Sequence, residues 1–269
     1  MSPTALLAGS GGGSTPSLVA TELFRVSRSI SLPRAQATAF SGLRARAFDA
    51  GQPGSWLRDH AARKLARRLE VDHGTIDPER VGTVLQRAAQ VDRWVRGFLS
   101  RSPGGTVIDL GTGLDTRFER IDNGVARWID VDLPEIIDLR RRCLRSSSRR
   151  EHVAASVVDP TWLARVTRPT EPCCVILQAV LGYLPLAEVR GMLARIASRL
   201  PDAMLVLDPP RYWRGSRGQL VDSRATSRVV DDDVAETIAA WNIGWTVAEV
   251  ATLEGTAARA PSQLARFTT

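Results

Sequence analysis

From Thr106 onward, short apolar runs alternate with helical patterns, and this alternation limits the chain to few folds. "TVIDL" (106–110), "ARWIDVD" (126–132), "HVAASVVD" (152–159), "CCVILQAV" (173–180) and "AMLVLDPP" (203–210) have strand length. Helical segments separate them, the longest running from Leu186 to Leu200. Strands apolar on both faces, joined by helices, require a mainly parallel sheet covered on both sides. "DDVAETIAAWN" reads as a further helix, and "TVAEVATL" with "QLARFTT" as a closing strand pair. In such sheets ligands lie beyond the carboxyl ends of the strands. The residues just after each strand are therefore the candidates for chemistry.

The chain before this sheet is helical. Residues 1–17 contain "GSGGGSTPS", a low-complexity stretch expected to be disordered. Residues 18–77 are expected to form a helical cap. Within it "SWLRDHAARKLARRL" places Trp56, Leu57, Ala61, Leu65 and Leu69 on one stripe. The main domain is expected to span 78–269. Its first helix starts at Pro78, with Val81, Val84, Leu85, Ala88, Val91, Val95 and Leu99 at helical spacing, and Ser-Pro-Gly-Gly ends it.

The formal charge of +7 raises nucleic acid as a partner, but the pattern argues against it. Lys64 is the only lysine, the arginines are scattered, and no nucleic-acid-binding motif occurs. The runs Arg140-Arg141-Arg142 and Arg149-Arg150 read as solvated ends of a helix and a loop. No apolar run reaches the roughly 18 residues of a membrane span, and the start lacks a secretory pattern. Three cysteines, two of them adjacent, give neither a disulfide framework nor metal-ligand spacing. A cytoplasmic protein with no bound metal, no membrane and no nucleic-acid partner is expected. No oligomeric state is specified.

Four strand ends carry suggestive residues. The first leads into Gly111-Thr112-Gly113. The second ends in Asp132, 21 positions after Gly111, the third in Asp159 and the fourth in Gln178. Two glycines bring backbone N–H groups close to a ligand, and an acid about 20 residues on suits a ribose diol. NAD and S-adenosylmethionine share these needs. Thr116, however, stands where a dinucleotide loop keeps a small residue, and Asp115 would repel a pyrophosphate. Asp159 offers an acceptor for an adenine amino group. These features favour S-adenosylmethionine, which carries an ammonium and a sulfonium and no phosphate. Asp109 is expected to bond the loop backbone. Asp130 is expected to face away from Asp132 and to be structural or exposed. His60, His73 and His152 form no catalytic or metal constellation.

The stretch "VIDLGTGLDTRFERIDNGVARWIDVDLPEIIDLRRRCL" resembles the leucine carboxyl methyltransferase family, in particular its bacterial branch of polyketide and natural-product O-methyltransferases. "LRARAF", "LRDHAARKLARRL", "QRAAQVDRWVRGFL", "SVVDPTW", "VLGYLP" and "RLPDAMLVLDPP" extend the likeness from Leu43 to Pro210. The resemblance implies an α/β, Rossmann-like class I methyltransferase fold with a seven-stranded, mainly parallel sheet and an N-terminal helical cap. It implies cofactor contacts from Gly111, Gly113 and the run Asp115-Thr116-Arg117. It places Asp132 on the ribose hydroxyls, Asp159 at the adenine amino group with Val158 beside the ring, and Arg87 on the methionine carboxylate. Gln178 stands where the family implies Glu, which removes a charge there.

Tyr183, Arg211, Tyr212 and Trp213 follow strand ends and are candidates to line an acceptor pocket, with "RYWRG" read as a loop. The expected reaction is methyl transfer to a small natural-product molecule, at a carboxylate. Hydroxyl methylation and non-catalytic cofactor binding are the alternatives.

Overall fold

The computed structural model describes residues 34–71, 77–166, 171–208, 212–214, 220–222, 234–253 and 262–269. The N-terminal stretch 1–17, His73 and Arg211 lie outside the described residues. Three helices come first: α1 (Arg34–Asp49), α2 (His60–Arg68) and α3 (Pro78–Arg101). The alternating part follows with β1 (Thr106–Leu110), α4 (Arg117–Ile121), β2 (Arg127–Asp132), α5 (Pro134–Cys143) and β3 (Arg150–Ala154). It continues with β4 (Cys173–Leu177), α6 (Leu186–Arg199), β5 (Met204–Leu207), β6 (Tyr212–Arg214), β7 (Leu220–Asp222), α7 (Val234–Ala240), β8 (Thr246–Leu253) and β9 (Ser262–Thr268). Short 3-10 segments occupy Pro160–Arg165 and Leu181–Tyr183.

Seven strands form one sheet in the order β3-β2-β1-β4-β5-β9-β8, with β9 antiparallel to both neighbours. The first five are parallel, as crossover helices require. The expected seven-stranded, mainly parallel α/β sheet is therefore present. Order reverses at β1, which lies between β2 and β4, so the ligand crevice belongs at the ends of these strands.

Each face of the sheet has its own core. Ile108, Leu110, Ile129, Val131, Val175 and Leu205 pack with Val189, Leu193 and Ile196 of α6. On the other face Val107, Trp128, Cys174 and Ile176 meet Val91, Trp94, Val95 and Phe98 of α3. Each such fully buried side chain contributes about 1.5–3 kcal/mol. The predicted apolar stripe of α3 is the buried one, and Asp77 caps its start by accepting from the Glu79 amide. No helix among the described residues is long and apolar enough to cross a membrane.

α1 and α2 form the cap. Phe40, Leu43, Ala62, Leu65 and Leu69 close over Leu114 and Leu139, which places these helices on the loop after β1. The helix expected from Trp56 starts only at His60. Asp49 accepts from the amides of Trp56 and Leu57 and from the Ser55 hydroxyl, which holds this stretch as a turn. Asp59 then caps α2 through the Ala62 amide. Trp56 is left 57% exposed.

Four other expectations change. The third strand ends at Ala154, not Asp159, because Asp159 accepts from the Thr161 amide and opens the 3-10 segment. "RYWRG" does not remain a loop throughout: Tyr212–Arg214 pairs with β7 as a small antiparallel ribbon. Asp130 does not face away from Asp132. A pleated strand repeats every two residues, so the two share a face, opposite Ile129 and Val131. The basic runs are not wholly solvated either. Arg140 and Arg150 are buried and both donate to Asp130, Arg140 at 2.7 Å and Arg150 at 2.8 Å. Burial alone would raise the Asp130 carboxyl, but these two guanidiniums, with a bond from His152, hold it far below the usual range.

Candidate active site

The loop after β1 is shaped by two glycines in the left-handed region, Gly111 at φ +71° and Gly113 at φ +53°. A Cβ at Gly111 would overlap the Val180 side chain from the turn after β4. The Gly111 amide donates back to Val131 of β2 at 2.8 Å. Asp132, at the end of β2, accepts from the Gly113 amide at 2.7 Å and from the Leu133 amide at 2.7 Å. Burial raises its carboxyl and the two amides oppose this. The loop and the β2 acid therefore form one unit, held further by Arg140, which donates to the Gly113 and Asp115 carbonyls.

The run Asp115-Thr116-Arg117 turns inward. Arg117 is 2% exposed and donates to Asp92 at 2.8 Å, Asp109 at 3.2 Å and Gln178 Oε1 at 2.6 Å, with Asp115 at 3.1 Å. Arg120 donates to Asp92, Asp115 and Asp59. Thr116 donates its hydroxyl to Asp59 at 2.6 Å, and Arg46 reaches Asp59 and the Leu114 carbonyl. A buried network thus joins the cap, α3, the loop and β4. Burial works to raise Asp115, but Arg117, Arg46 and Arg120 hold it well below the usual carboxylate range. Burial wins at Asp109, whose carboxyl is pushed up to about 7 despite Arg117. Asp109 bonds this arginine, not the loop backbone.

The other predicted residues are spread along the strand ends. Asp159 caps the 3-10 segment, and the Thr161 amide lowers its carboxyl. Val158 beside it is partly buried. Gln178 follows β4 and gives its oxygen to Arg117. Arg87, on α3, is 28% exposed and lies 3.1 Å from Asp208. Tyr183 is exposed on its 3-10 turn, and β6, which carries Tyr212 and Trp213, runs beside that turn.

Asp208, just after β5, was not among the residues singled out. Its side chain is 2% exposed, and burial pushes its carboxyl up to about 6 against the pull of Arg87. The strand-end rule that selected Asp132 and Asp159 applies equally to "LDPP" and would have found it. The ionic network has a weaker signature, because Arg46, Asp59, Asp92 and Arg120 come from four places: α1, the start of α2, α3 and α4.

The donor set suits an adenosyl amino acid. It offers a carboxylate on the glycine loop for a ribose diol and a guanidinium on α3 for a carboxylate. His152 lies in β3 beside Asp130 and His60 opens α2, so neither is at a strand end of the crevice. Among the described residues no group of acids, histidines and cysteines could hold a metal ion.

The model of the family described as leucine carboxyl methyltransferase matches residues 29–197. The tetracenomycin polyketide synthesis O-methyltransferase TcmP of Streptomyces glaucescens is 34% identical over 179 residues, 65% of this chain and 66% of that protein. The match thus spans just under two thirds of that relative. Among solved structures, magnesium protoporphyrin IX methyltransferase (ChlM) from Synechocystis PCC 6803 with bound SAM aligns at a TM-score of 0.50 and 13% identity. That alignment covers 85% of this chain and 96% of that one, and at such identity the likeness is one of fold.

Proposed function

The chain belongs to the leucine carboxyl methyltransferase family, and from that premise we propose that it is an S-adenosylmethionine-dependent O-methyltransferase that esterifies a carboxylate on a small, polyketide-type molecule. The observation that carries the cofactor reading is the unit made by Asp132 and the glycine loop. Its carboxylate sits 2.7 Å from the Gly113 amide, beside backbone that only glycine adopts readily. Asp132 takes the ribose hydroxyls, Gly111 and Gly113 let the ligand approach the backbone, and Arg87 takes the methionine carboxylate. Val158 and Asp159 bracket the adenine. Asp115 and Gln178 act through Arg117 on the shape of the loop. The bound cofactor supplies an electrophilic methyl group on a sulfonium centre.

The chain's own task is alignment, which supplies roughly 7–11 kcal/mol of barrier reduction in favourable cases. Tyr183 and the ribbon strand with Tyr212 and Trp213 flank the acceptor. A carboxylate is ionised at neutral pH and needs no base. The name of the polyketide-pathway relative supports the acceptor class, and the family name supports a carboxyl target.

One observation favours a second reading. Asp208, raised to about 6 at the end of β5, has the acidity of a general base and would serve a hydroxyl acceptor. Product chemistry separates the two. The methylated product is expected to release methanol in mild alkali, as an ester does. The single-turnover rate is expected to be flat from about pH 6 to 9, because the acceptor stays ionised throughout. An alkali-stable product would replace the carboxylate reading with the hydroxyl one. Absence of turnover with acids and phenols alike would leave a non-catalytic cofactor-binding protein.

A further inference from the structure

We propose that Arg87 and Asp208 together form a receptor for an amino-acid zwitterion, in which Asp208 takes the ammonium group of the cofactor's methionine end while Arg87 takes its carboxylate. This deepens the reading of the chain as an S-adenosylmethionine-dependent enzyme and rests on it.

The starting observation is a buried acid left unfinished. Both Asp208 oxygens are buried, and neither receives a well-aligned hydrogen bond among the described residues. Arg87 lies 3.1 Å away, and the Ala179 amide also approaches, without the alignment that would complete the site. The other buried acids of the crevice are satisfied. Asp109 and Asp115 bond to arginines, Asp130 bonds to Arg140 and Arg150, and Asp132 accepts two amides. A buried charge with incomplete partners is destabilising, and a ligand that completes it offsets that cost. Arg87 Nε is likewise buried and unpartnered.

The surroundings point to the amino-acid end of the ligand. The Asp208 amide donates to the Leu177 carbonyl, so this acid sits beside Gln178 at the end of β4. Gln178 carries no charge, and its oxygen is already taken by Arg117. The negative charge for an ammonium must come from a neighbour, and Asp208 is adjacent. Ala179 is held at φ +57°, a conformation unusual for a residue with a Cβ, and its amide is turned toward Asp208.

Charge order completes the case. An α-amino acid bears its two charges on groups attached to one carbon. Laid antiparallel to the Arg87–Asp208 pair, it sets each charge against its opposite and buries no net charge. Asp208 is fixed by the sheet, whereas Arg87 is partly exposed on a long arm that can open the pair.

Four ligands test this by calorimetry at pH 8 on the full chain. They are S-adenosylhomocysteine, its deaminated analogue, its decarboxylated analogue, and methylthioadenosine, which lacks the amino-acid end. Asp208→Asn is expected to weaken S-adenosylhomocysteine and the decarboxylated analogue by about ten- to a hundredfold, the range for a hydrogen bond to a charged group. The deaminated analogue and methylthioadenosine should bind it as they bind the unmodified protein. Arg87→Ala should show the mirror pattern, losing the deaminated analogue and sparing the decarboxylated one. Equal losses on all four ligands would assign Asp208 to folding and overturn the proposal. Unchanged affinities with a fall in turnover would assign it to proton removal and overturn it too. Failure of the unmodified protein to bind any of the four would overturn the cofactor reading itself.

Discussion

Replacing Arg117 by Met tests whether the buried ionic network sets the ionisation of Asp109. The guanidinium holds three carboxylates and the Gln178 oxygen, and the loss differs among them. Asp92 keeps Arg120, and Asp115 keeps Arg120 and Arg46. Asp109 loses the one direct ion partner it has among the described residues. Removing one side of a buried pair costs about 3–5 kcal/mol. The Asp109 carboxyl already titrates at about 7 with Arg117 present, and it must rise further without it. In the variant the folded protein keeps this proton where the unfolded chain has released it. Stability should therefore fall by up to about 1.4 kcal/mol per pH unit as pH rises through neutrality, until Asp109 ionises in the folded state. Urea unfolding at pH 5.5, 7 and 8.5 should show a deficit that is steady below about pH 7, where Asp109 is protonated in both folded proteins, and that grows by up to about 2 kcal/mol between pH 7 and 8.5. A deficit below about 1 kcal/mol at pH 8.5, or one that does not change with pH, would refute the assignment of Asp109 as the group that depends on Arg117.

Asp132→Ala is expected to weaken S-adenosylhomocysteine and methylthioadenosine by the same factor, about ten- to a hundredfold, because both carry the ribose; calorimetry checks it, and unchanged affinity would remove Asp132 from the site. Asp208 titrates at about 6 in the folded protein against an ordinary 3.8, so stability is lost as pH rises from about 4 to 6, by about 3 kcal/mol in all. Asp208→Asn should abolish that loss and raise the thermal stability of the cofactor-free protein at pH 7, and a variant less stable than the original there would show that Arg87 fully compensates the charge.

The sheet was legible because β1, β4 and β5 are nearly continuous apolar runs, whereas β3, Arg150–Ala154, opens with Arg150 and Glu151 and begins two residues earlier than its apolar pattern suggests. α3 was read almost residue by residue, since its apolar stripe is the face that meets Val107, Trp128 and Ile176. Polar capping was harder to see. Asp49, Asp59 and Asp159 each redirect the backbone through one or two amides, and a hydrophobic pattern carries no trace of that. The glycine loop and Asp132 stood out by spacing, and the structure brings them together. The inward turn of Arg117, Arg140 and Arg150 did not, because charged side chains are rarely buried and a sequence does not reveal which acids await them. Asp208 carries only the strand-end signature after β5, with no glycine turn or spacing to a partner that would mark it further.

The position of Asp59 ties the cap helices to the loop after β1. Its side chain is fully buried, and it performs two jobs at once. One oxygen starts α2 through the Ala62 amide, while the other accepts from Arg46, Thr116 and Arg120. Two of those donors, Thr116 and Arg120, belong to the cofactor loop and α4. Ala39 of α1 also stands 3.4 Å from where a Cβ on Gly113 would lie. Lifting α1 and α2 off the loop would separate Asp59 from Thr116 and Arg120 and expose Phe40, Leu43 and Leu65, each worth about 1.5–3 kcal/mol when buried. That cost is a large fraction of the stability of a typical domain. The two cap helices are therefore part of a rigid frame around the loop after β1. On the proposed reading, the freedom to fit different acceptors falls to the other side of the crevice, where the turn carrying Tyr183 and the β6 ribbon meet.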